Sequence, residues 1–162
     1  MKRLLPLLAA ALAACAYFPY FQGITLGLSE SEVVGKLGTP AERRALPAGG
    51  FALEYPQEPL GFENWRVLLG PDGRVTAVEQ LIDETHFARI LPGLSRAEVL
   101  RTLGRHSEEK GYRNLDETVL SWRYREFGSR LMFFNAHFDG SGRLKYASRT
   151  EDPAMHMSQD SM

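Results

Sequence analysis

The 162-residue chain is 44% hydrophobic, 24% charged and 10% aromatic, values that are ordinary for a globular protein. Its formal net charge of −1 argues against nucleic acid as a partner, and its single cysteine excludes an intramolecular disulfide framework. The length suits one domain, or two small domains that share a core.

The N-terminal residues have the composition of a secretory leader. Met1-Lys2-Arg3 is positively charged, and residues 4–14 are apolar, end in small side chains and are too few to span a bilayer as a helix. The stretch Leu12-Ala13-Ala14-Cys15 resembles the bacterial lipoprotein signal. This resemblance implies that residues 1–14 are a signal peptide and that Cys15 becomes the mature N-terminus and carries acyl chains, palmitate among them.

Ala16 follows the cysteine, at the position where an aspartate would favour retention in the inner membrane of enterobacteria. By this resemblance the protein is expected at the periplasmic face of the outer membrane, where several acyl chains act as a permanent anchor. The alternative is an ordinary leader that is cleaved nearby and leaves Cys15 as a free thiol.

Residues 15–23 are expected to form a lipidated tether. Four aromatic residues lie in this segment, Tyr17, Phe18, Tyr20 and Phe21. They could sit at the headgroup interface, where amphipathic rings are favoured, or cover the edge of the folded chain. Phe21 is close enough to the first helix to pack on it.

A pattern of helix-end residues occurs twice. Gly-Leu-Ser-x-x-Glu-Val-x-x-x-Leu-Gly begins at Gly27 and recurs 66 residues later at Gly93. Such a recurrence indicates an internal duplication. The glycines that close the two copies, Gly38 and Gly104, can stop a helix in a left-handed conformation.

The serines and glutamates of this pattern have the spacing of a capping box. Ser29 and Ser95 are predicted N-caps, and Glu32 and Glu98 follow three residues later, where a carboxylate reaches back to the cap amide. Capping accounts fully for both carboxylates. We therefore interpret them as structural and not as acid–base groups.

Turn and strand signals place the other elements in chain order. The first repeat, 24–82, is predicted to hold the capped helix, a weak strand at 41–46, strands at 51–55, 62–69 and 74–81, and a hairpin turn at 70–73. The second, 83–149, is predicted to hold a short helix at 83–91, the capped helix at 96–103, strands at 108–112, 117–125, 130–138 and 143–148, and a hairpin turn at 139–142. Residues 150–162 are polar and are expected to be disordered.

These elements predict an α+β fold of two tandem repeats, each a short helical segment followed by an antiparallel β-meander that packs on it. A helix of roughly eight residues is marginal alone, so the sheet must hold it. The helix positions expected to pack are Val33, Leu37, Val99 and Leu103. The sheet positions that alternate onto one face are Leu120, Trp122, Tyr124, Met132, Phe134, Ala136, Phe138, Leu144 and Tyr146. The opposite face is expected to be free.

A lipoprotein signal followed by this helix pattern, tryptophan-containing strands and glycine-rich hairpins resembles the SmpA/OmlA (BamE-like) family of outer-membrane lipoproteins. Residues 24–81 and 90–148 look like two such modules in tandem. The duplicated layout is also similar to secreted β-lactamase inhibitor proteins. The family resemblance implies a non-enzymatic accessory of the machinery that inserts β-barrels into the outer membrane, acting by binding protein partners.

No arrangement of residues predicts a reactive centre. The four histidines, His86, His106, His137 and His156, have no spacing that makes a metal site, and there is no second cysteine to assist them. The chain has no nucleophile elbow and no phosphate-binding glycine loop. We therefore expect neither a cofactor, a metal nor an enzymatic activity.

A partner-binding surface is expected on the free face of the second sheet. Its members are predicted to be Arg123, Phe133, Asn135, His137 and Arg143, accompanied by Arg125 and Lys145. An aromatic side chain among arginines is typical of interface cores. The alternative is a solvated sheet face that carries one stray phenylalanine.

Three functions remain open from the sequence. The first is an accessory of outer-membrane β-barrel assembly or envelope integrity. The second is an inhibitor or binder of a secreted enzyme. The third is a structural envelope lipoprotein without a dedicated partner.

Overall fold

The computed structural model describes residue 21 and residues 23–57, 59–127 and 129–153. These residues form two four-stranded antiparallel sheets with a few short helices, which confirms the predicted α+β class. The predicted signal peptide, Cys15 and most of the predicted tether, residues 16–20 and 22, lie outside the described residues. Among the residues that are described, no helix is long and apolar enough to cross a membrane.

The first unit has one helix and the strand order β1-β2-β3-β4. Its elements are α1 (Glu30–Leu37), β1 (Glu42–Ala45), β2 (Phe51–Pro56), β3 (Asn64–Leu69) and β4 (Val75–Gln80). Each consecutive pair of strands is antiparallel, so the sheet is a simple meander.

The second unit has two helices and the strand order β5-β6-β7-β8. Its elements are α2 (Glu84–Phe87), α3 (Arg96–Leu103), β5 (Glu108–Tyr112), β6 (Glu117–Glu126), β7 (Arg130–Asp139) and β8 (Leu144–Glu151). α2 is shorter than the helix predicted at 83–91. A 3₁₀ turn at Arg113–Leu115, which the sequence did not suggest, connects β5 to β6.

Both eight-residue helices begin with a capping box. The Glu32 carboxylate accepts a hydrogen bond from the Ser29 amide at 2.8 Å, and the Glu98 carboxylate accepts one from the Ser95 amide at 2.7 Å. In return, the Ser29 hydroxyl accepts a hydrogen bond from the Glu32 amide, and the Ser95 hydroxyl accepts one from the Glu98 amide. These contacts satisfy amide groups that a helix start otherwise leaves without partners.

The helices end at glycines with positive φ. Gly38 has φ 82° and ψ −174°, and Gly104 has φ 72° and ψ −157°. Both therefore lie in the extended, positive-φ region that is essentially restricted to glycine, and not in the left-handed helical region that the sequence suggested.

Each unit has its own hydrophobic core. Val33 of α1 packs into the first core with strand residues such as Trp65. Phe21 belongs to the same core, where its ring stacks on Trp65 with the centroids 4.5 Å apart. Val99 and Leu103 of α3 are fully buried in the second core.

The same connection ties the last hairpin of each unit to the start of its helix. An isolated bridge joins Ser29 to Arg74, and another joins Ser95 to Arg143. The Arg74 guanidinium donates to the Gly27 carbonyl at 2.9 Å. The last strand pair also carries a register shift in both units.

The register shift in the second sheet corrects the predicted core. Because Phe138 pairs with Leu144 while His137 pairs with Tyr146, Lys145 is an extra residue in β8. Leu144 therefore faces the core as predicted, whereas Tyr146 lies on the opposite face with His137. A regular alternation placed Tyr146 wrongly.

The face of the first sheet opposite its own core is not free, because α3 of the second unit covers part of it. The Asn64 amide donates to the carbonyls of Leu103 and Arg105 at 2.8 and 2.7 Å. The Arg66 guanidinium donates to the Arg101 carbonyl at 2.6 Å. α3 thus contributes to one core and is also bonded to β3 of the other unit.

The predicted disordered tail begins too early. β8 continues to Glu151, and Asp152 is buried. The remainder of that predicted tail, residues 154–162, lies outside the described residues.

Candidate functional site

The long strands of the second sheet form a groove on the face away from the core, here called the back-face groove. It encloses about 430 Å³ and is lined by residues of β5 to β8 and of the 3₁₀ turn. Four of the five predicted partner-binding residues lie on this face. The structure shows, however, that contacts within the protein hold their side chains.

A hydrogen-bonded chain of four polar groups runs across the back face, through the floor of the groove. His137 Nδ1 lies 2.8 Å from Glu117 Oε1, and His137 Nε2 lies 2.9 Å from Ser148 Oγ. Lys145 donates to the second oxygen of Glu117 at 2.7 Å. The hydrogen bonds from His137 and Lys145 hold the pKa of the Glu117 carboxyl below its ordinary value, and the bond from His137 has the larger effect.

A second set of hydrogen bonds fixes Asn135. Its carbonyl oxygen accepts from the Ser121 hydroxyl at 2.7 Å, and its amide nitrogen donates to Thr150 Oγ1 at 3.1 Å. Asn135 is buried, and its side chain links three neighbouring strands. It is therefore a structural member of the sheet more than a group presented to a partner.

Arg123 and Phe133 are also engaged. Arg123 Nε lies 2.6 Å from Asp152 Oδ2, and the Asp152 side chain is only 3% exposed. The Arg123 guanidinium also lies over the Phe133 ring, 5.1 Å from its centroid. Phe133 is 6% exposed, so the expectation that it projects from a free face is wrong.

Arg143 does not belong to this face. Its guanidinium donates to the Gly93 carbonyl at 3.1 Å and holds the last hairpin against the loop that precedes α3. The hydrogen bond from Arg74 to Gly27 matches it in the first unit. Arg143 thus makes a contact within the protein at the hairpin, and its part in partner binding stays a prediction.

The groove leaves apolar side chains exposed at its edges. Tyr112 and Leu115 line one side and are exposed, and Tyr146, stacked on His137 at 4.2 Å between centroids, is exposed on β8. Sequence reasoning missed all three. Leu115 lies in the unpredicted 3₁₀ turn, and Tyr112 ends the predicted strand β5 directly before that turn. The extra residue in β8 reverses the face of Tyr146.

The connectivity of Ser148, His137 and Glu117 is that of a serine hydrolase triad. We interpret it as structural, because Glu117 is shared with Lys145 and Ser148 Oγ also lies 3.5 Å from Asn135 Nδ2. An acyl-transfer site further needs donors aimed at a developing oxyanion. Among the described side-chain hydrogen bonds, Asn135 Nδ2 is the one donor beside Ser148 other than the ring of His137, and it also donates to Thr150.

The other histidines sit in different surroundings. His86 Nδ1 lies 2.8 Å from Asp83 at the start of α2. Burial lowers the pKa of His106, which lines a groove of about 520 Å³ between the two units. Within the described ranges, no three His, Cys, Asp or Glu side chains meet in a way that could hold a metal ion.

Comparison with known proteins gives weak similarities only. No family model matches the chain, and no curated protein matches it. A solved structure assigned as the osmotically inducible lipoprotein OsmE is 21% identical, with a TM-score of 0.36, over 49% of this chain and 85% of that one.

Two longer alignments are weaker still. An extracellular SCP-domain protein from Bacillus anthracis str. Ames is 11% identical over 83% of this chain and 46% of its own, with a TM-score of 0.31. A protein assigned as a β-lactamase inhibitor from Streptococcus mutans is 12% identical over 82% and 86%, with a TM-score of 0.29. At these scores and identities, none of the three assigns a family or a function to the chain.

Proposed function

We propose that the protein is a non-enzymatic lipoprotein, anchored through Cys15 at the periplasmic face of the outer membrane, that binds a protein partner at the back-face groove. One observation carries the proposal: polar groups of the groove floor are bonded to one another, while Tyr112 and Leu115 remain exposed at its edge. Tyr146, which stacks on His137 of the floor, is exposed beside the groove. A rigid floor with exposed aromatic and aliphatic edges suits a binding surface.

The partner we propose is a component of outer-membrane β-barrel assembly or of envelope integrity. This part of the proposal rests on the lipoprotein signal and on the helix pattern that begins at Gly27 and Gly93. An inhibitor of a secreted enzyme is the competing function, because the repeated sequence pattern resembles the layout of secreted β-lactamase inhibitor proteins.

We further propose that the two units are copies of one module. Support comes from exchanged ion pairs at equivalent positions, since Glu30 pairs with Arg43 while Arg96 pairs with Glu109. Glu30 corresponds to Arg96 and Arg43 corresponds to Glu109, each 66 residues later, so the acidic and basic members of the pair have changed places. A contact that survives an exchange of its charges is expected after duplication.

Site-specific photo-crosslinking in intact cells tests the partner. A photoreactive amino acid at Tyr146 or Tyr112 is expected to capture a component of the β-barrel assembly machinery. The matched control is Leu26, which is also exposed but belongs to the first unit. Capture of one soluble secreted enzyme would favour the inhibitor function, and adducts no stronger than those at Leu26 would remove the groove from consideration.

The anchor has its own test. Mass spectrometry of the mature protein is expected to find Cys15 as the acylated N-terminal residue. An unmodified Cys15 would end the lipoprotein proposal and leave the partner-binding proposal to be judged by crosslinking alone.

A further inference from the structure

The two most exposed large apolar side chains of the described residues belong to different units. Phe127, in the β6–β7 turn, is 95% exposed, and Leu60, in the β2–β3 loop, is 81% exposed. A single exposed leucine needs no explanation, but large apolar groups from two units at one end of a molecule form a candidate contact surface.

Two contacts bring these loops together. Arg123 of β6 donates to the Pro59 carbonyl at 3.3 Å, and the Arg125 guanidinium lies over the Phe62 ring, 4.3 Å from its centroid. Both arginines lie near the end of β6 that leads into Phe127. Leu60 and Phe127 are therefore at the same end of the molecule.

The backbone of Phe127 has a conformation that residues with a side chain rarely adopt. Its φ is 49°, a region that favours glycine, although the residue is a phenylalanine with almost complete exposure. Non-glycine residues in this region are strained, and such strain is concentrated at functional positions. Neither burial nor packing within the described chain accounts for the aromatic ring here.

Phe21, the described residue nearest in sequence to the proposed anchor Cys15, lies at this same end. Phe21 packs on Trp65 and Tyr55, and those two residues form the ladder pair next to the last pair before the β2–β3 loop. Five residues lie between Cys15 and Phe21, so the chain takes six steps from one to the other and can span at most about 20 Å. The opposite end of the first sheet lies farther from Phe21 by about one strand length, again about 20 Å.

We propose that this end of the molecule, carrying Leu60 and Phe127, lies on the phospholipid surface in which Cys15 is anchored, with both side chains inserted at the boundary between headgroups and acyl chains. The inference rests on the proposed lipidation of Cys15. Insertion removes the apolar surface of both side chains from water. Apolar groups that bind at a membrane interface reach about 5–10 Å into the boundary between headgroups and acyl chains. The back-face groove would then open to the side of the anchored molecule, toward periplasmic or membrane partners.

Fluorescence quenching by brominated lipids tests the inference on the mature, full-length protein in vesicles of phosphatidylethanolamine and phosphatidylglycerol. Phe127→Trp and Leu60→Trp are compared with Leu26→Trp and Leu91→Trp. The control leucines are also exposed, but they lie beside the β3–β4 and β7–β8 hairpins at the opposite ends of the sheets. The native Trp65 and Trp122 are buried, so their signal is subtracted as a common background.

The expected result is quenching about twofold or more above the controls at positions 127 and 60, because a ring at the interface lies within reach of the brominated chains. Equal quenching at all four positions would overturn the inference. Quenching confined to positions 26 and 91 would overturn it too. Flotation of the wild-type protein with vesicles reports the anchor separately, so a failure of lipidation is distinguishable from a failure of insertion.

Discussion

The Glu117 carboxylate accepts hydrogen bonds from both His137 and Lys145, and its side chain is only 6% exposed. Glu117→Gln is expected to lower the free energy of unfolding by about 1–2 kcal/mol at pH 7, the range of hydrogen bonds to a charged group that is partly screened. Because the folded-state pKa of Glu117 is lowered, the stabilisation is present above the ordinary pKa of glutamate and is lost as the pH falls through the lower, folded value.

Urea unfolding at pH 7 and at successively lower pH below about 4.3, the ordinary glutamate pKa, measures this dependence. The difference between wild type and Glu117→Gln is expected to shrink as the wild-type carboxyl becomes protonated. Glu108→Gln is the control, because Glu108 lies in the same sheet and has only a 3.6 Å contact with Lys110. If the difference in unfolding free energy between wild type and Glu117→Gln does not change with pH, the Glu117 carboxylate does not stabilise the fold through its charge.

The reactivity of Ser148 distinguishes a structural role of the Ser148–His137–Glu117 hydrogen bonds from a hydrolytic one. We expect the protein not to react with a fluorophosphonate probe, because among the described side-chain hydrogen bonds only Asn135 donates to Ser148 besides the ring of His137. Mass spectrometry of the probe-treated protein is the measurement, with Ser148→Ala as the control. Modification at Ser148 that is absent from the variant would identify an enzyme instead.

Arg123 was expected to bind a partner, and its contact with Asp152 changes how it can be tested. Arg123→Ala is expected to destabilise the fold by about 2–3 kcal/mol, because it removes a guanidinium from a buried carboxylate. Arg125→Ala, which removes only a stack on Phe62, is expected to cost less than about 1 kcal/mol. Thermal unfolding compares the two, and equal effects would contradict this role of the ion pair.

At the level of elements, Gly38 and Gly104 form a natural matched pair. Both end an eight-residue helix with positive φ, so either alanine substitution is strained by about 1–3 kcal/mol. A methyl group at position 104 would also lie 3.1 Å from Asn64 Nδ2 and 3.3 Å from Leu81 Cδ1, whereas one at position 38 would meet nothing within 4 Å.

Gly104→Ala is therefore expected to be more destabilising than Gly38→Ala by about 1 kcal/mol, an overpacking penalty. Urea unfolding of both variants gives the difference. In an Asn64→Ala background the difference is expected to shrink, since the crowded amide is gone. If the two glycine variants remain equally stable in the wild-type background, α3 is not held as tightly against β3 as its hydrogen bonds indicate.

The local signals in the sequence were sufficient for the elements themselves. Ser29 and Ser95 begin helices because capping is a contact between residues three apart, and hairpin turns are encoded in four residues. The face of Tyr146 was not predictable in this way, because one extra residue in β8 shifts the alternation without a distinctive composition. The same shift hid part of the candidate site.

Contacts between the units could not be predicted either. Asn64 and Arg66 alternate with apolar residues along β3, a pattern typical of a solvent-exposed face. Instead, they donate hydrogen bonds to carbonyls at the end of α3, more than thirty residues away in the sequence. The exposed carbonyls of a helix end need partners, but nothing in the local sequence says which strand supplies them. These hydrogen bonds join the two units, beside the contacts of Arg123 with Pro59 and of Arg125 with Phe62.

Asn64 is expected to couple the unfolding of the two units. Asn64→Ala removes two hydrogen bonds to the end of α3 and is expected to lower stability by about 2 kcal/mol and to separate the unfolding midpoints of the units. The chain has two tryptophans, Trp65 in the first core and Trp122 in the second, so Trp122→Phe and Trp65→Phe backgrounds report each unit by fluorescence.

Thr76→Ala is the matched control, because the Thr76 hydroxyl donates to Leu68 within the first sheet and does not touch α3. It is expected to leave the two transitions coincident, as in the parent backgrounds. Separate midpoints already in the parents would mean that the units unfold independently. Coincident midpoints in Asn64→Ala would move the coupling to other contacts, such as that of Arg66 with Arg101. Separation in Asn64→Ala alone would show that one amide, reaching across from a strand to a helix end, makes the two sheets a single cooperative body.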